Sequence, residues 1–519
     1  MARIKIACTE RTLWDGVKRQ LPDMPSPCGG RGSCGACRVR LISGSTQISD
    51  ADTEHLSKKE IADGVRIACQ SVPLSDCEIE VIVAGEEQIQ ALAAERDETF
   101  IKGDSFFVAI DIGTTTLAIA LLDEKGRVIA TQTGLNHQRS FGADVVSRIE
   151  LAMKGQAAEL TSCIRHDIRM GLYQLLSQNK LALKAVRHIV IAGNTTMEQL
   201  FFGLSVKELG SYPFLPLIKR FIHVEYGQLF SEKLSEEIEL FERGAEKLTV
   251  TGFPCIAGFV GGDITAGLYK LLLESEREAS VFLDIGTNGE LAFIGSDVIV
   301  VASTAAGPVF EGGSICCGMA SLPGAICATR TEGDMLICNT VKDMPPLGIC
   351  GSGLIEAVAD LRKLRVICKD GLMHQAWRER GYVLARGESG EIILLTQGDV
   401  REFQMAKAAI AAGVEILLDT VGLRQQQGKE YLLAGGFGAN MSVKKAVCVG
   451  LLPMGTERRT IMAGNTSLKG VIQFLKKEAK DGTDSGAMEE VEGLLAKIEH
   501  IHLANRENFQ EIFIKHMEL

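Results

Sequence analysis

The chain has 519 residues, 46% of them hydrophobic and 23% charged, which excludes a single core and points to about two to four globular domains. Its net charge of −11 argues against nucleic acid or an anionic membrane as a partner, because neither is drawn to an acidic surface. With 55 glycines and only 5% aromatics, the composition is that of an α/β enzyme with many tight turns rather than a β-sandwich.

The N-terminus, "MARIKIACTERTLWDG", lacks the uninterrupted apolar core of a secretory signal. No run of about 18 apolar residues offers a membrane-spanning helix. A cytoplasmic protein is therefore expected, in which disulfides are disfavoured. Fifteen cysteines is a high and odd number. Cys163, Cys255 and Cys448 stand singly in apolar surroundings and read as small buried hydrophobes.

Four cysteines are different. Cys28 is followed after five residues by Cys34, after two more by Cys37, and after 31 more by Cys69. Three clustered thiols and a distant fourth match the plant-type 2Fe–2S pattern, with the first gap one residue longer. Gly29, Gly30, Gly32 and Gly35 would let the backbone approach the inorganic sulfides. Zinc is the alternative, although structural zinc sites usually use two close ligand pairs; free thiols are the other. The flanks read as strand, turn and helix over "RIKIACTERTLWDGVKRQL", an alternating strand over "RVRLISGSTQIS", and a closing strand after Cys69. Cys8 and Cys77 fall on predicted strands and are left out as ligands. This is the β-grasp layout of ferredoxins, and the spacing is similar to the adrenodoxin variant, so residues 1–84 are expected to form a 2Fe–2S ferredoxin-like domain. Residues 85–105 are charged with little strand character and read as a linker.

Residues 106–130, "FFVAIDIGTTTLAIALLDEKGRVIA", predict a strand ending at Asp111, a Gly–Thr turn and a meander. "VFLDIGTNGELAFIGSDVIV" (281–300) repeats it. "HIVIAGNTTMEQLF" (188–201) pairs with "YLLAGGFGANMSVK" (431–444), and "CIAGFVGGDITAGLYKLL" (255–272) with "IMAGNTSLKGVIQFL" (461–475). Three signatures recurring in one order make residues 106 to 475 two copies of one meander-plus-βαβ unit. Two such RNase H-like halves facing across a cleft define the actin-like (ASKHA) ATPase architecture. Expected boundaries are 106–275 for the first half (the middle region) and 276–519 for the second half with a C-terminal extension.

The chemistry of the paired motif is phosphate binding. Turn N–H groups and hydroxyls of "DIGTTT" and "DIGTNGE" would cradle a triphosphate from both sides, and Asp111 and Asp284 would hold Mg²⁺ through oxygen or water ligands. "LAGGFG" (433–438) would lay its glycine backbone against adenine and ribose. One D-x-G-T turn alone could be a mere hairpin; a paired one with a downstream "GGFG" favours phosphate. Neither a G-x-G-x-x-G fingerprint after the first strand nor a P-loop is present.

Other stretches are blander. "PPLGICGSGLIEAVADLRKL" (345–364) opens an amphipathic helix with Ser352 near its N-cap; its turn could bring N–H groups to a phosphate, or Gly351 and Gly353 could only permit close helix–sheet packing, the favoured reading. Residues 399–423 read as a long core helix. Cys316, Cys317, Cys327, Cys338, Cys350 and Cys368 are too scattered for a second cluster and read as buried thiols.

A ferredoxin domain joined to an actin-like ATPase, with "AIDIGTTT", "AGNTTM", "GFVGGDITAG", "LDIGTNGE", "GICGSGLIEAV", "REFQMAKAAI", "LAGGFG" and the end "IHLANRENFQEIFIKHM", resembles the reductive activators of corrinoid-dependent enzymes over essentially the whole chain. That resemblance implies an ATP-dependent electron-transfer enzyme. It would take one electron from a low-potential donor, ferredoxin or flavodoxin-like, into a 2Fe–2S cluster. It would pass that electron to an inactive Co(II) corrinoid protein and so restore Co(I) for methyl transfer. It also implies Cys28, Cys34, Cys37 and Cys69 as cluster ligands. The nucleotide site would comprise Asp111, Gly113, Thr114, Thr115, Thr116, Asp284, Gly286, Thr287, Asn288, Gly435, Gly436 and Gly438. Asp263 and Glu290 are rivals for orienting the attacking water, Asp263 also for Mg²⁺. A homodimer is expected by family analogy. No cysteine follows Cys448, so the chain resembles the 2Fe–2S subgroup rather than the subgroup with further C-terminal cysteine motifs. The competing readings are a redox-responsive nucleotide-binding scaffold or sensor that reduces no corrinoid, and a small-molecule kinase, which would gain nothing from a ferredoxin.

Overall fold

The computed structural model describes residues 3–20, 37–56, 58–81, 105–232, 234–273, 279–286, 288–388, 390–423, 429–435, 441–482 and 486–519. The linker proposed for 85–105 therefore lies outside the described residues except at its last position.

The N-terminal part is a four-stranded sheet of order β1-β4-β2-β3: β1 Arg3–Ile6, β2 Arg38–Ser43, β3 Val65–Ile67 and β4 Cys77–Val81. The β4 strand alternates buried and half-exposed residues, and the helix Leu13–Gln20 covers the apolar face with Leu13, Trp14 and Val17. This is the small β-grasp core. Cys8 lies in a turn just beyond β1, not on a strand as expected, and its N–H is held by Asp76 Oδ1 at 2.8 Å.

The rest of the chain builds two sheets of matching topology. The first comprises β5 Phe106–Ile112, β6 Thr116–Leu122, β7 Val128–Leu135, β8 Val186–Gly193, β9 Ile222–Glu225 and β10 Thr249–Gly252, in order β7-β6-β5-β8-β10-β9. The second comprises β11 Ala279–Ile285, β12 Gly289–Gly295 and β13 Ile299–Thr304. Later in the chain come β14 Ala325–Glu332, β15 Met335–Thr340 and β16 Gly348–Ile349, then β17 Tyr382–Arg386 and β18 Ile392–Leu395. The chain closes with β19 Glu430–Ala434, β20 Thr460–Gly464 and β21 Ile498–His500. The second large sheet runs β20-β19-β11-β12-β13-β21, while β15-β14-β16 and β17-β18 form small satellite sheets. In both large sheets an antiparallel meander is extended from its first strand by two parallel strands, β8 and β10 on β5, β19 and β20 on β11. The tight turn between β6 and β7 is set by Asp123, whose carboxylate accepts from the Lys125 and Arg127 N–H groups.

The repeat is therefore real, with one adjustment. Residues 255–261 carry no strand; the counterpart of β20 is β10, which ends at Gly252, and a loop intervenes before the helix Gly262–Leu273. The strand is displaced because "PCIAGFVGG" folds as a close turn, in which the Val260 and Ala257 backbones bond each other.

Each sheet has an outer core of its own, and a third core lies between them. Phe107, Ala109, Val190 and Phe253 from the first sheet meet Phe282, Ala292, Val301 and Leu432 from the second, around the helices Gly262–Leu273 and Thr466–Asp481. These two helices cross so closely that a Cβ on Gly470 would overlap the Ala266 carbonyl oxygen. Elsewhere, Gly351 and Gly353 hold the start of the helix Gly351–Lys363 against Phe310 and Ile326, and Ser352 Oγ donates to the Cys327 carbonyl at 3.1 Å, so this turn serves packing.

The isolated thiols need correction. Cys255 and Cys350 are buried, but Cys316, Cys368 and Cys448 are exposed, and Cys163, Cys317, Cys327 and Cys338 are half-buried. Apolar neighbours in sequence did not translate into burial because Cys163 lies within the helix Ala157–Gln178 without joining its buried face, and the others occupy loops, a helix end and satellite strands rather than the central sheets. The helix crossing yields a direct test: Gly470→Ala forces the two helices apart and should cost about 1–3 kcal/mol, read as a lowered melting temperature. A variant as stable as the parent would show that the crossing is not close.

Candidate functional site

The four cluster thiols divide into two described and two undescribed. Cys28 and Cys34 lie outside the described residues. Cys37 immediately precedes β2 and Cys69 follows β3 by two residues; Arg38 pairs with Ile67 in register, which brings both thiols to one corner of the sheet. Both are buried, the Cys69 N–H donates to Cys37 Sγ at 3.4 Å, and the Ala68 N–H donates to the Cys37 carbonyl at 2.9 Å. Two thiols converging with a backbone N–H aimed at sulfur fit the donor set of a 2Fe–2S cluster, whose sulfurs are tuned by such hydrogen bonds. Cys77 lies at the far end of β4, opposite Ile6, away from that corner.

The second site forms where the two large sheets face each other. Asp111 near the end of β5 and Asp284 near the end of β11 occupy equivalent positions, and Glu290 sits directly across from Asp284 on β12. Asp263 joins them from the first turn of Gly262–Leu273. Burial raises all four carboxyls above their ordinary range, and repulsion adds to it for Asp263, Asp284 and Glu290. Asp284 is pushed up to about 7 by burial and then by Asp111. Asp263 is raised by burial, then by Asp284 and Asp111; Glu290 is raised by burial, then by Asp263 and Asp284. Asp111 is raised by burial against the opposing hydrogen bonds of Ser467 and Asn465. A cluster of carboxylates that cannot all stay ionised is what a bound cation relieves. Among the described residues, no three acidic, histidine or cysteine side chains converge closely enough to coordinate a metal by themselves.

The first phosphate turn is held from behind. Gly113 N–H closes it on the Thr116 carbonyl at 2.9 Å, and Asn136 Nδ2 donates to the Gly113 carbonyl at 2.9 Å. The fully buried Arg148 donates to the Thr114 carbonyl at 2.6 Å, and Asn194 Nδ2 donates to Thr114 Oγ1 at 3.1 Å. Thr115 and Thr116 occupy the cleft side, half-buried and exposed respectively. In the second turn Gly286 N–H donates to the Asn288 carbonyl at 2.9 Å; Thr287 lies outside the described residues. Gly435 follows β19 with φ +106, and a Cβ there would strike the Ile285 carbonyl and stand 3.2 Å from Asp284 Oδ1, so only glycine fits. Gly436 and Gly438 lie outside the described residues.

Several residues of this site were not foreseen. Asn465 Nδ2 and Ser467 Oγ, at the start of Thr466–Asp481, donate to the two oxygens of Asp111 at 2.6 and 2.7 Å, tying the second half to the first. Glu198 is buried beneath Gly262, accepting from the Gly193 N–H at 2.8 Å. The four-residue string "AGNT", at 192–195 and again at 463–466, was the available signal. In both places its Asn caps a helix, accepting from Met197 N–H and Leu468 N–H.

Nucleotide-free protein should reveal the carboxylate repulsion. Asp284 is neutral in the fold well below pH 7 and forced to ionise above it, whereas in the unfolded chain it ionises near pH 4. The stability lost to that difference grows as pH rises through this window. Asp284→Asn should therefore melt higher than the parent at pH 8 in EDTA, on the order of 1 kcal/mol more stable, and match it at pH 4. An equal or lower melting temperature at pH 8 would contradict the clustering.

Comparison with known proteins assigns a domain family to each part of the chain. Residues 2–74 match the 2Fe-2S iron-sulfur cluster binding domain model, residues 106–276 the RACo middle region, and residues 278–519 the C-terminal domain of RACo, the ASKHA domain. The corrinoid activation enzyme RamQ of Eubacterium limosum is 32% identical over 428 residues, covering 78% of this chain and 69% of that protein. The [Co(II) methylated amine-specific corrinoid protein] reductase of Methanosarcina barkeri is 25% identical, covering 78% of this chain and 76% of that protein. The solved structure of a reductive activator for corrinoid,iron-sulfur protein superposes with a TM-score of 0.69 at 26% identity, covering 99% of this chain and 96% of that one. The fold is thus a β-grasp 2Fe–2S ferredoxin domain followed by two RNase H-like halves of an ASKHA ATPase, and the chain belongs to the RACo family of corrinoid activation enzymes.

Proposed function

We propose that this chain is an ATP-dependent reductive activator that passes one electron from its 2Fe–2S centre to the Co(II) of a corrinoid protein, yielding Co(I). The observation that carries this reading is the presence, in one chain, of a buried thiol corner at Cys37 and Cys69 and of two facing phosphate turns over a repelling carboxylate floor. We take residues 1–84 as the ferredoxin-like domain, 85–105 as linker, 106–275 as the first half and 276–519 as the second with its extension.

A 2Fe–2S cluster supplies a one-electron centre near roughly −400 mV. Cys28, Cys34, Cys37 and Cys69 would hold it, and the Cys69 N–H on Cys37 Sγ would help to set its potential. The electron would come from a low-potential donor, a ferredoxin or flavodoxin-like protein. The cobalt couple is expected to lie lower, so the step is uphill. ATP supplies the difference by favouring one arrangement of protein and partner over another. Thr114, Thr115, Thr116 and Gly113 on one side, with Gly286, Thr287 and Asn288 on the other, would hold the phosphates, and Gly435, Gly436 and Gly438 would border the base and ribose.

Mg²⁺ prefers few protein ligands with phosphate and water completing its shell. Asp284 and Asp263 suit that role, since Asp111 already holds Asn465 and Ser467. Glu290 and Asp263 are the rival candidates for orienting the attacking water, both buried beside Asp284. A cytoplasmic location is part of the proposal; among the described residues no helix is long and apolar enough to cross a membrane. A homodimer is part of the proposal by family analogy alone.

The test mixes reduced protein, MgATP and a Co(II) corrinoid protein and follows the visible spectrum. Co(I) should form with ATP, and Cys37→Ser should lose the cluster's absorbance and all Co(I) formation while still binding nucleotide. A protein that binds ATP and carries its cluster, yet yields no Co(I) with any cognate corrinoid protein, would favour the redox-responsive scaffold instead.

A further inference from the structure

The loop after β13 places a fifth carboxylate in the cleft. Residues Pro308–Glu311 form one tight helical turn, closed by Gly312 at φ +82. Val309 and Phe310 are buried, and the start of Gly351–Lys363 closes on the Phe310 carbonyl so tightly that a Cβ at Gly351 would overlap it. The backbone that carries Glu311 is therefore fixed.

Glu311 bonds the first turn and lies close to the second. Its Oε2 accepts from Thr115 Oγ1 at 2.9 Å, across 196 residues and from one half to the other. Its Oε1 stands 3.5 Å from where a Cβ on Gly286 would be. Beneath the first turn lies the buried Arg148, whose guanidinium is brought down to about 10 by burial while the charge of Glu311 acts against that. An anionic oxygen thus takes the hydroxyl donor of one turn and lies close to the other.

We propose that Glu311 is a further residue of the nucleotide site, holding the Thr115 hydroxyl while the cleft is empty and surrendering it to a phosphate oxygen when ATP enters. The inference rests on the reading of the two turns as a triphosphate cradle. No bond to carbon or phosphorus changes in this step; one hydrogen bond is exchanged for another, and the glutamate side chain turns aside on its fixed backbone. Glu311 thereby sets how tightly the triphosphate binds and links its arrival to the Thr115–Glu311 hydrogen bond between the halves.

Glu311→Gln removes the charge but keeps the size and an oxygen that can accept from Thr115. Like charges within hydrogen-bond reach weaken binding by an order of magnitude even when screened, so the full-length variant should bind MgATP about tenfold more tightly in titration calorimetry. Glu311→Asp, which draws the charge back from Thr115 but leaves it beside Arg148, should fall between, and it carries the test if the glutamine variant misfolds. Thr115→Val should weaken MgATP binding more in the Glu311→Gln background than in the parent, where it also frees Glu311 of its empty-cleft partner; a merely structural role for Glu311 would give equal losses in the two backgrounds. Unchanged or weaker MgATP binding by folded variants, with normal binding by the parent, would overturn this inference alone. Absence of nucleotide binding by the parent would overturn the cradle reading and this inference with it.

Discussion

Everything in the ATPase part depends on how closely two helices can cross. Gly470 and Ala266 let Thr466–Asp481 and Gly262–Leu273 meet backbone to backbone between the two sheets, with Val471, Phe474 and Leu268 closing the core around them. That crossing sets the distance between the ends of β5 and β11, and so determines that Asp111, Asp263 and Asp284 share one field. The N-terminus of Thr466–Asp481 then reaches over to grip both oxygens of Asp111 through Asn465 and Ser467. A larger residue at 470 would change the electrostatics of the cleft as well as its packing.

The cleft is poised rather than relaxed. Carboxyls are held above their ordinary range by burial and by one another, and a further carboxylate, Glu311, lies across both phosphate turns. Carboxylates crowded in this way repel one another, and a bound cation would relieve that repulsion. The thiol corner at Cys37 and Cys69 is of the opposite kind: small, buried and already supplied with a backbone donor. Joining a centre built for little rearrangement to a cleft built for a large electrostatic change gives the chain the parts for coupling nucleotide to electron.

Much of this was legible in the residues. The cysteine spacing, the doubled "DIGT" and the order of the recurring signatures identified the two modules because each rests on local backbone geometry. The sheet orders β7-β6-β5-β8-β10 and β13-β12-β11-β19-β20 have the same connectivity that the repeat implied. What was not legible depends on contacts between distant segments. The string "GFVGG" gave no sign that the strand before it would end at Gly252. Asn465 caps a helix, and only the facing halves make it a partner of Asp111 as well. Glu311 sits in an unremarked "GPVFEGG", and nothing in that string signals a hydrogen bond to Thr115 in the other half. The scattered cysteines were misjudged for the same reason, since burial at Cys316, Cys368 and Cys448 depends on what packs over them.

The central claim is that nucleotide drives an electron uphill through this chain. The most direct measurement is a spectroelectrochemical titration of a Co(II) corrinoid protein mixed with the full-length protein, with and without MgATP. At a fixed solution potential near that of the cluster, the account predicts that MgATP raises the fraction of Co(I), and that a non-hydrolysable analogue raises it for a single turnover at most. An identical Co(I) fraction with and without MgATP, from protein with its full iron content, would contradict it.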